Sequence, residues 1–168
     1  MNRSRFAFIV GAVVLGLSAL TACAADEKPA TQNDTPGSAE AAALSTADVG
    51  DVGNVVVDGS GRTLYVFDKD TAKPPKSNCD GGCAAMWPPV KAGSGTPKLD
   101  GIDASLVGTV ERSDGSKQLT LKGWPLYTFA KDDEAGDAYG QAVGGTWWVV
   151  GPDGTKITKK AAASSGGY

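Results

Sequence analysis

A ten-residue segment that occurs twice constrains this chain more than any other feature. The copies span 61–70 and 123–132, and six of their ten positions are identical, in the pattern Gly-x-x-Leu-Tyr-x-Phe-x-Lys-Asp. A tryptophan follows each copy, 15 to 17 residues after its last aspartate, at Trp87 and Trp147. Self-similarity of this kind indicates one structural unit used twice. We therefore predict one domain over about 48–160 built from two tandem repeats, at about 50–90 and about 106–153.

The repeated segment alternates as a β-strand does. In the first copy Leu64 and Val66 fall on one face, and Tyr65 and Phe67 fall on the other. One such strand cannot bury both faces alone, so we expect the two copies to pack around a pseudo-twofold axis and share a core. The residues that define the motif in the two copies are Tyr65, Phe67, Asp70, Tyr127, Phe129 and Asp132.

Turn residues divide the rest of the domain into short strands. Glycine-containing turns at 58–61 and 113–116 predict two hairpins, which join 54–57 to 62–68 and 107–112 to 117–121. Residues 80–87 are predicted to form a short helix that stops before two prolines. Roughly seven strands in about 110 residues predict an all-β fold, or a mainly β fold with one short helix.

Composition excludes several classes of function. The net charge is -3, and a weakly acidic domain lacks the basic face that nucleic-acid binding requires. The sequence contains no histidine, which removes the usual general base near neutral pH and most designs for zinc and copper sites. We therefore predict no nucleic-acid partner and no cofactor.

The first 22 residues have the layout of a secretory signal peptide. Two arginines precede a 15-residue apolar run that is too short for a comfortable membrane span. The run ends in Leu20-Thr21-Ala22-Cys23, which resembles a bacterial lipobox. In signals of that kind the peptide is cut before the cysteine, whose sulfur is acylated, and the acyl chains hold the protein on the membrane. An ordinary cleaved signal in which Cys23 is incidental is the alternative.

Residues 23–47 are predicted to form a disordered linker, and residues 161–168 a disordered tail. The linker is rich in Ala, Thr, Pro, Asp and Glu and contains no aromatic residue. Such a segment cannot bury enough apolar surface to offset the entropy of ordering it. The linker would therefore act as a spacer between the membrane and the domain.

Cys79 and Cys83 are separated by three residues in the first repeat. In an exported protein, two cysteines this close are expected to form a structural disulfide. Two other readings stay open: a redox-active dithiol, and a soft Cu(I) site that would add Met86. The second repeat has glycines at the equivalent place and no cysteine, so the repeat architecture does not require the disulfide.

Aromatic residues could form a binding surface, although in strands they more often build a core. The tryptophans considered for such a surface are Trp87, Trp124, Trp147 and Trp148. If the motif tyrosines are buried, Asp70 and Asp132 are candidate partners for their hydroxyl groups. Four carboxylates within 132–137 could bind Ca²⁺, but their spacing differs from an EF-hand loop and favours a solvated acidic loop.

With these residues described, the chain resembles the bacterial secreted-repeat lipoproteins, a family defined by a Tyr-x-(Phe/Trp/Tyr)-x-x-Asp motif. The motif occurs here at 65–70 and at 127–132, and the resemblance extends over roughly 50–153. It also includes the Cys-x3-Cys segment that leads to Trp87-Pro88-Pro89. Members often carry a histidine after the tryptophan of the second repeat, where this chain has Trp148. The resemblance implies an extracytoplasmic location and no known biochemical activity.

The hypothesis that follows is a membrane-anchored envelope lipoprotein, not an enzyme, whose domain binds a ligand or an envelope partner. Two alternatives come from other classes. One is a redox, electron-transfer or copper-related accessory protein that uses Cys79 and Cys83, and the other is a module that binds cell-wall glycans. The differences between the repeats are more promising sites for activity than the motif they share.

Overall fold

The computed structural model describes residues 41–159. Within them the chain forms ten short strands, one α-helix and three 3-10 turns. The strands are β1 (Ala43–Val49), β2 (Gly53–Asp58), β3 (Tyr65–Phe67), β4 (Thr71–Ala72), β5 (Pro75–Lys76), β6 (Lys98–Leu99), β7 (Val107–Glu111), β8 (Lys117–Leu121), β9 (Trp124–Pro125) and β10 (Trp147–Val149). The helix α1 spans Gly82–Met86, and the 3-10 turns span Gly50–Val52, Ala104–Leu106 and Val143–Gly145. The prediction of a mainly β fold with one short helix is confirmed.

The described strands form four small sheets. Their orders are β2-β1-β6, β10-β3, β4-β5 and β7-β8-β9. The β1–β6 pair is parallel, and the other strand pairs of these sheets are antiparallel. The predicted helix before the two prolines is α1, and the predicted hairpin of the second repeat is β7–β8, paired from Val107↔Leu121 to Glu111↔Lys117.

The first predicted hairpin is only partly present. Its turn forms, because the Asp58 carboxylate accepts hydrogen bonds from the backbone N–H groups of Ser60 and Arg62. Beyond the turn, however, the chain makes a single bridge, Val57↔Thr63, before the partners change. Strand β2 pairs along its length with β1, and β3 pairs with β10 from the other repeat.

The linker was predicted to reach residue 47, and this boundary is wrong at its C-terminal end. Strand β1 begins at Ala43 and pairs with β2 from Leu44↔Asp58 to Val49↔Gly53. The side chains of Leu44 and Val49 are buried in the core, which compensates the entropy of ordering this segment. The predicted signal peptide, Cys23, the rest of the linker and the predicted tail at 161–168 lie outside the described residues.

The two motif segments meet at Tyr65 of β3 and Tyr127, which lies beyond β9 and forms isolated bridges outside the named strands. The N–H of Tyr65 donates to the carbonyl of Tyr127 at 2.8 Å, and the N–H of Tyr127 donates back at 3.0 Å. A reciprocal pair of this kind places a local twofold axis between the two residues. The two copies therefore face each other as equivalent elements, as the duplication predicted.

Side-chain alternation along these strands builds two buried clusters. Leu64 and Val66 join one cluster, whereas Tyr65 and Phe67 join the other, as predicted. Both clusters draw residues from both repeats. The larger buried side chains of the aromatic cluster are Tyr65, Phe67, Trp87, Tyr127, Phe129 and Trp147.

The motif glycines allow the repeats to approach closely. Gly61 and Gly123 both have positive φ, at 80° and 85°. A Cβ atom on Gly123 would lie 2.3 Å from the carbonyl oxygen of Ala72, and one on Gly61 would lie 3.0 Å from the Cβ atom of Ala135. Each glycine thus contacts the loop of the other repeat, where a larger residue would clash.

Candidate functional site

The motif tyrosines and aspartates form two reciprocal hydrogen bonds across the repeats. The Tyr65 hydroxyl donates to Oδ2 of Asp132 at 2.5 Å, and the Tyr127 hydroxyl donates to Oδ2 of Asp70 at 2.7 Å. All four side chains are buried. The prediction that Asp70 and Asp132 satisfy the buried tyrosines is confirmed, with each aspartate serving the tyrosine of the other repeat.

The second oxygen of each aspartate orders the loop that follows the strand. Oδ1 of Asp70 accepts the N–H of Asn78 at 2.7 Å, and Oδ1 of Asp132 accepts the N–H of Tyr139 at 3.0 Å. Burial raises the pKa of both carboxyl groups, although the hydrogen bonds from the tyrosines oppose that shift. Burial likewise raises the pKa of Tyr65 and Tyr127. These groups hold the fold together and face no open site.

A stack of four aromatic rings fills the interior between the repeats. Trp87 and Trp147 lie parallel at its centre, with ring centroids 3.9 Å apart and an interplanar angle of 2°. Phe129 stacks on the outer face of Trp87 at 4.2 Å, and Phe67 stacks on that of Trp147 at 4.1 Å. Along the stack the rings alternate between the second and the first repeat.

This stack removes two of the four tryptophans considered for a binding surface. Trp87 and Trp147 are only 4% and 5% exposed, so they belong to the core and cannot form an open binding surface. Their burial follows from the ring contacts, which each tryptophan makes on both faces. The other two, Trp124 and Trp148, are half-buried at the surface.

Cys79 and Cys83 form the predicted disulfide, with Cα atoms 5.2 Å apart. The side chain of Cys79 is fully buried, and Nη2 of the buried Arg112 donates to its carbonyl oxygen at 2.6 Å. The guanidinium also donates to the Ser77 hydroxyl and to the Gln118 side chain, both at 2.7 Å. Arg112 therefore joins the disulfide loop of the first repeat to the β7–β8 hairpin of the second.

Neither candidate cation site is assembled within residues 41–159. No group of three or more histidine, cysteine, aspartate or glutamate side chains is placed to hold a metal ion there. In the acidic loop, Oδ2 of Asp137 accepts the N–H groups of Asp133 and Glu134, and Asp132 is engaged by Tyr65. Met86 is 41% exposed, whereas Cys79, seven residues earlier in the chain, is buried and disulfide-bonded to Cys83.

A cleft of about 280 Å³ opens on the surface beside Trp124. We call it the Trp124 cleft. Its floor is Val66 of β3, and its walls come from the β8–β9 turn and from the turn that follows β10. The lining residues are Val66, Asp68, Lys122, Trp124, Gly154, Thr155 and Lys156.

In one wall of the cleft, three side chains contact one another. Oδ1 of Asp68 accepts from Lys156 Nζ at 2.5 Å, and Oδ2 accepts from the indole Nε1 of Trp148 at 2.8 Å. The Lys156 ammonium also lies 5.6 Å from the centroid of the Trp148 ring, within the range of a cation–π contact. The charges of Lys156 and Asp68 therefore pair with each other at the surface.

The opposite wall is a lysine in a strained backbone conformation. Lys122 and Gly123 form the two-residue turn between β8 and β9, with φ values of 52° and 85°. Positive φ at both positions is typical of a type I′ hairpin turn, where Asn, Asp and Gly are preferred. A lysine with left-handed φ costs about 1–2 kcal/mol. A Cβ atom on Gly154 would lie 2.6 Å from that of Lys122, so Gly154 makes room for the lysine stem.

The cleft is built from positions at which the repeats differ. The repeat offset of 62 residues places Ser60 at the position equivalent to Lys122, and Arg62 at the position equivalent to Trp124. It places Ala130 at the position equivalent to Asp68. The shared Leu, Tyr, Phe and Asp residues of the motif are thus buried in the core, whereas the cleft is lined by side chains that the other copy lacks.

The sequence predicted part of this site. Trp124 and Trp148 were considered for a binding surface, and the structure places Trp124 in the cleft and Trp148 against its Asp68 wall. Asp68, Lys122 and Lys156 were missed. A signal for Lys122 existed, because a lysine precedes Gly123 in a two-residue turn where asparagine is expected.

Comparisons with known proteins bear on the repeats rather than on the cleft. Within residues 41–159, no helix is long and apolar enough to cross a membrane. Searches of curated proteins and of solved structures give no match. Residues 46–91 and 108–151 each match a family described as a secreted repeat of unknown function. These matches cover more than half of the chain, which therefore belongs to the secreted-repeat family and carries two copies of its repeat.

Proposed function

We propose that this protein is a lipid-anchored cell-envelope lipoprotein whose two-repeat domain is a non-catalytic module that binds a small ligand in the Trp124 cleft. The single observation that carries the proposal is the cleft itself. It combines an indole ring, an apolar floor and charged side chains in a concave site, as ligand sites commonly do. The rest of the shared repeat structure serves to hold this site.

Membership in a secreted family implies an extracytoplasmic location. The anchor is part of the proposal and rests on the Leu20-Thr21-Ala22-Cys23 sequence. Strand β1 begins at Ala43, twenty residues after Cys23. The linker predicted between them would act as a spacer between the anchor and the domain.

The polar groups of the cleft favour holding a ligand over transforming it. Both carboxylate oxygens of Asp68 accept hydrogen bonds, from Lys156 and from Trp148. A carboxylate held in this way is poorly available as a general base. The tyrosines and aspartates with raised pKa values face the interior rather than the cleft. Binding therefore accounts for the arrangement more simply than catalysis does.

Binding is tested with a library of single-ring fragments and an NMR spectrum of the indole N–H groups. We expect active fragments to shift the Nε1 signal of Trp124 and to leave that of the buried Trp147 unchanged. Trp124→Phe should remove the reporter and weaken binding, whereas Tyr139→Phe is a matched aromatic control outside the cleft. Fragments that bind only elsewhere, or no binding at all, would contradict the proposal.

The anchor is tested independently by mass spectrometry of the mature protein. We expect the N-terminal residue to be a lipid-modified Cys23, and we expect Cys23→Ser to release the protein from the membrane fraction. An unmodified Cys23 in membrane-bound protein would rule out the lipoprotein assignment.

A further inference from the structure

We propose that the Trp124 cleft binds a small organic carboxylate with one aromatic ring, and that the carboxylate pairs with Lys122. This inference rests on the binding function proposed above and adds the chemical class of the ligand. Three features of the cleft support it: its size, the state of its charges and the strain at Lys122.

The size of the cleft suits one ring with a short arm. A cavity of about 150 Å³ lined by apolar side chains holds a benzene molecule. At about 280 Å³ the Trp124 cleft, which is open to solvent, has room for a ring and an attached carboxylate. The half-buried indole of Trp124 offers a face against which an aromatic ring can stack, above the apolar floor of Val66.

Of the two lysines that line the cleft, one is in an ion pair and the other could pair with a charged ligand. Lys156 forms an ion pair with Asp68 at 2.5 Å, so these two charges compensate each other. Lys122 forms no ion pair within residues 41–159, where three ion pairs occur. The charge of Lys122 interacts with the carboxylate of Asp153, which also accepts hydrogen bonds from the N–H and the hydroxyl of Thr155. The cleft therefore offers one positive charge, in an acidic protein, to an incoming anion.

The backbone at Lys122 argues that this cation has a role. Nothing in the fold requires a lysine in a turn that asparagine or glycine would form at lower energy. Strain retained at a cleft is a recognised sign of a functional position. Gly154 accommodates the stem of Lys122, which directs the lysine along the cleft wall.

The experiment compares 3-phenylpropionate with its neutral amide, 3-phenylpropanamide, by calorimetry and by the Trp124 Nε1 signal. We expect the carboxylate to bind and the amide to bind on the order of tenfold more weakly. Lys122→Gln should weaken the carboxylate to a similar extent, while Lys122→Arg should largely preserve binding. Lys98→Gln, which removes an exposed lysine outside the cleft, should have no effect.

Asp68→Asn should change the affinity for the carboxylate in the opposite direction. It removes the negative charge and frees Lys156, so the carboxylate should bind a few-fold more tightly. An NMR fingerprint of each variant checks that the fold is kept. Equal affinity for acid and amide, or tighter binding by Lys122→Gln, would overturn the carboxylate assignment and leave the binding function standing. Failure of every fragment and of both compounds to move the Trp124 signal would overturn both.

Discussion

Between the repeats, Tyr65 donates a hydrogen bond to Asp132 and Tyr127 donates one to Asp70. The tyrosine–aspartate contact of one repeat thus has a counterpart in the other. At the Trp124 cleft the duplicated positions carry different side chains, since the equivalent of Trp124 is Arg62. The interior is thus built from residues that the two copies share, whereas the cleft is lined by residues at positions where the copies differ. Duplication supplied a scaffold with local twofold symmetry, and differences at a few surface positions supplied the cleft.

The largest effect on stability is expected when a ring is removed from the central aromatic stack. Trp147→Ala should lower the free energy of unfolding by about 3–5 kcal/mol, because it leaves a cavity against Phe67 and Trp87. Trp124→Ala should lower it by about 1–2 kcal/mol, since that ring is half-buried against the core. Urea denaturation measures both. Equal losses would contradict the division between interior and cleft.

A smaller loss is expected at the reciprocal hydrogen bonds. Asp70→Ala and Asp132→Ala should each lower the free energy of unfolding by about 1–3 kcal/mol, because each leaves a buried tyrosine hydroxyl and a backbone N–H without its partner. Both losses should fall in this range, although the second partners differ, since the Tyr127 hydroxyl also contacts Ser77 and the Tyr65 hydroxyl accepts the N–H of Gly140. Asp133→Ala, in the exposed part of the acidic loop, serves as the control. A large loss at only one motif aspartate would break the comparison.

The disulfide is an addition of the first repeat, and it should stabilise the domain only moderately. Replacing both Cys79 and Cys83 by serine should cost about 2 kcal/mol, since the loop that they close is short. We expect the reduction potential of the pair to lie below about -300 mV, as is usual for structural disulfides. A value near about -200 mV would instead favour the redox function.

At the cleft a substitution should raise stability. Lys122→Asn should increase the free energy of unfolding by about 1 kcal/mol, because asparagine tolerates positive φ better than lysine does. The same variant should lose affinity for a carboxylate ligand. Thermal denaturation and calorimetry measure the two effects, and Lys98→Asn on β6 is the matched control. A loss of stability would contradict the interpretation of Lys122 as a strained residue.

The smallest expected effect is a dependence of stability on pH. Folding raises the pKa of Asp70 and Asp132 above the ordinary value of 3.8. The stability linked to this shift is fully present below 3.8 and is lost as the pH rises through the folded-state pKa values. Between about pH 4 and about pH 7, the unfolding free energy should therefore fall relative to an Asp70→Asn/Asp132→Asn double variant. Urea titrations over this range measure the difference, and a relative rise would contradict it.

Much of the interior could be predicted from the sequence. The alternation in Leu64-Tyr65-Val66-Phe67 specified which side chains share a face, because the period of a strand is two residues. The duplication specified that the copies meet, and the signal for a disulfide was local. Strand partners were harder, since β3 pairs with β10, about eighty residues later, and no local pattern encodes that choice.

The cleft could not be assembled from the sequence. Its residues come from β3, from the β8–β9 turn and from the turn after β10, which only the tertiary fold brings together. The burial of Trp87 and Trp147 could not be predicted from the sequence either, because a tryptophan side chain can face either the core or solvent. Strand β1 was missed because Leu44 and Val49 are its only large apolar residues, and at a separation of five they face opposite sides and show no alternation.

The crossed tyrosine–aspartate pairs also bear on how the protein is made. Tyr65 and its partner Asp132 are 67 residues apart in the chain, so the first repeat cannot satisfy its own buried hydroxyl. Synthesis delivers Tyr65, Phe67 and Trp87 well before Trp147, and until then these rings have no stack to enter. The first repeat alone should therefore expose these rings and be sensitive to proteases. A chain truncated between the repeats should be degraded rather than persist as a smaller module.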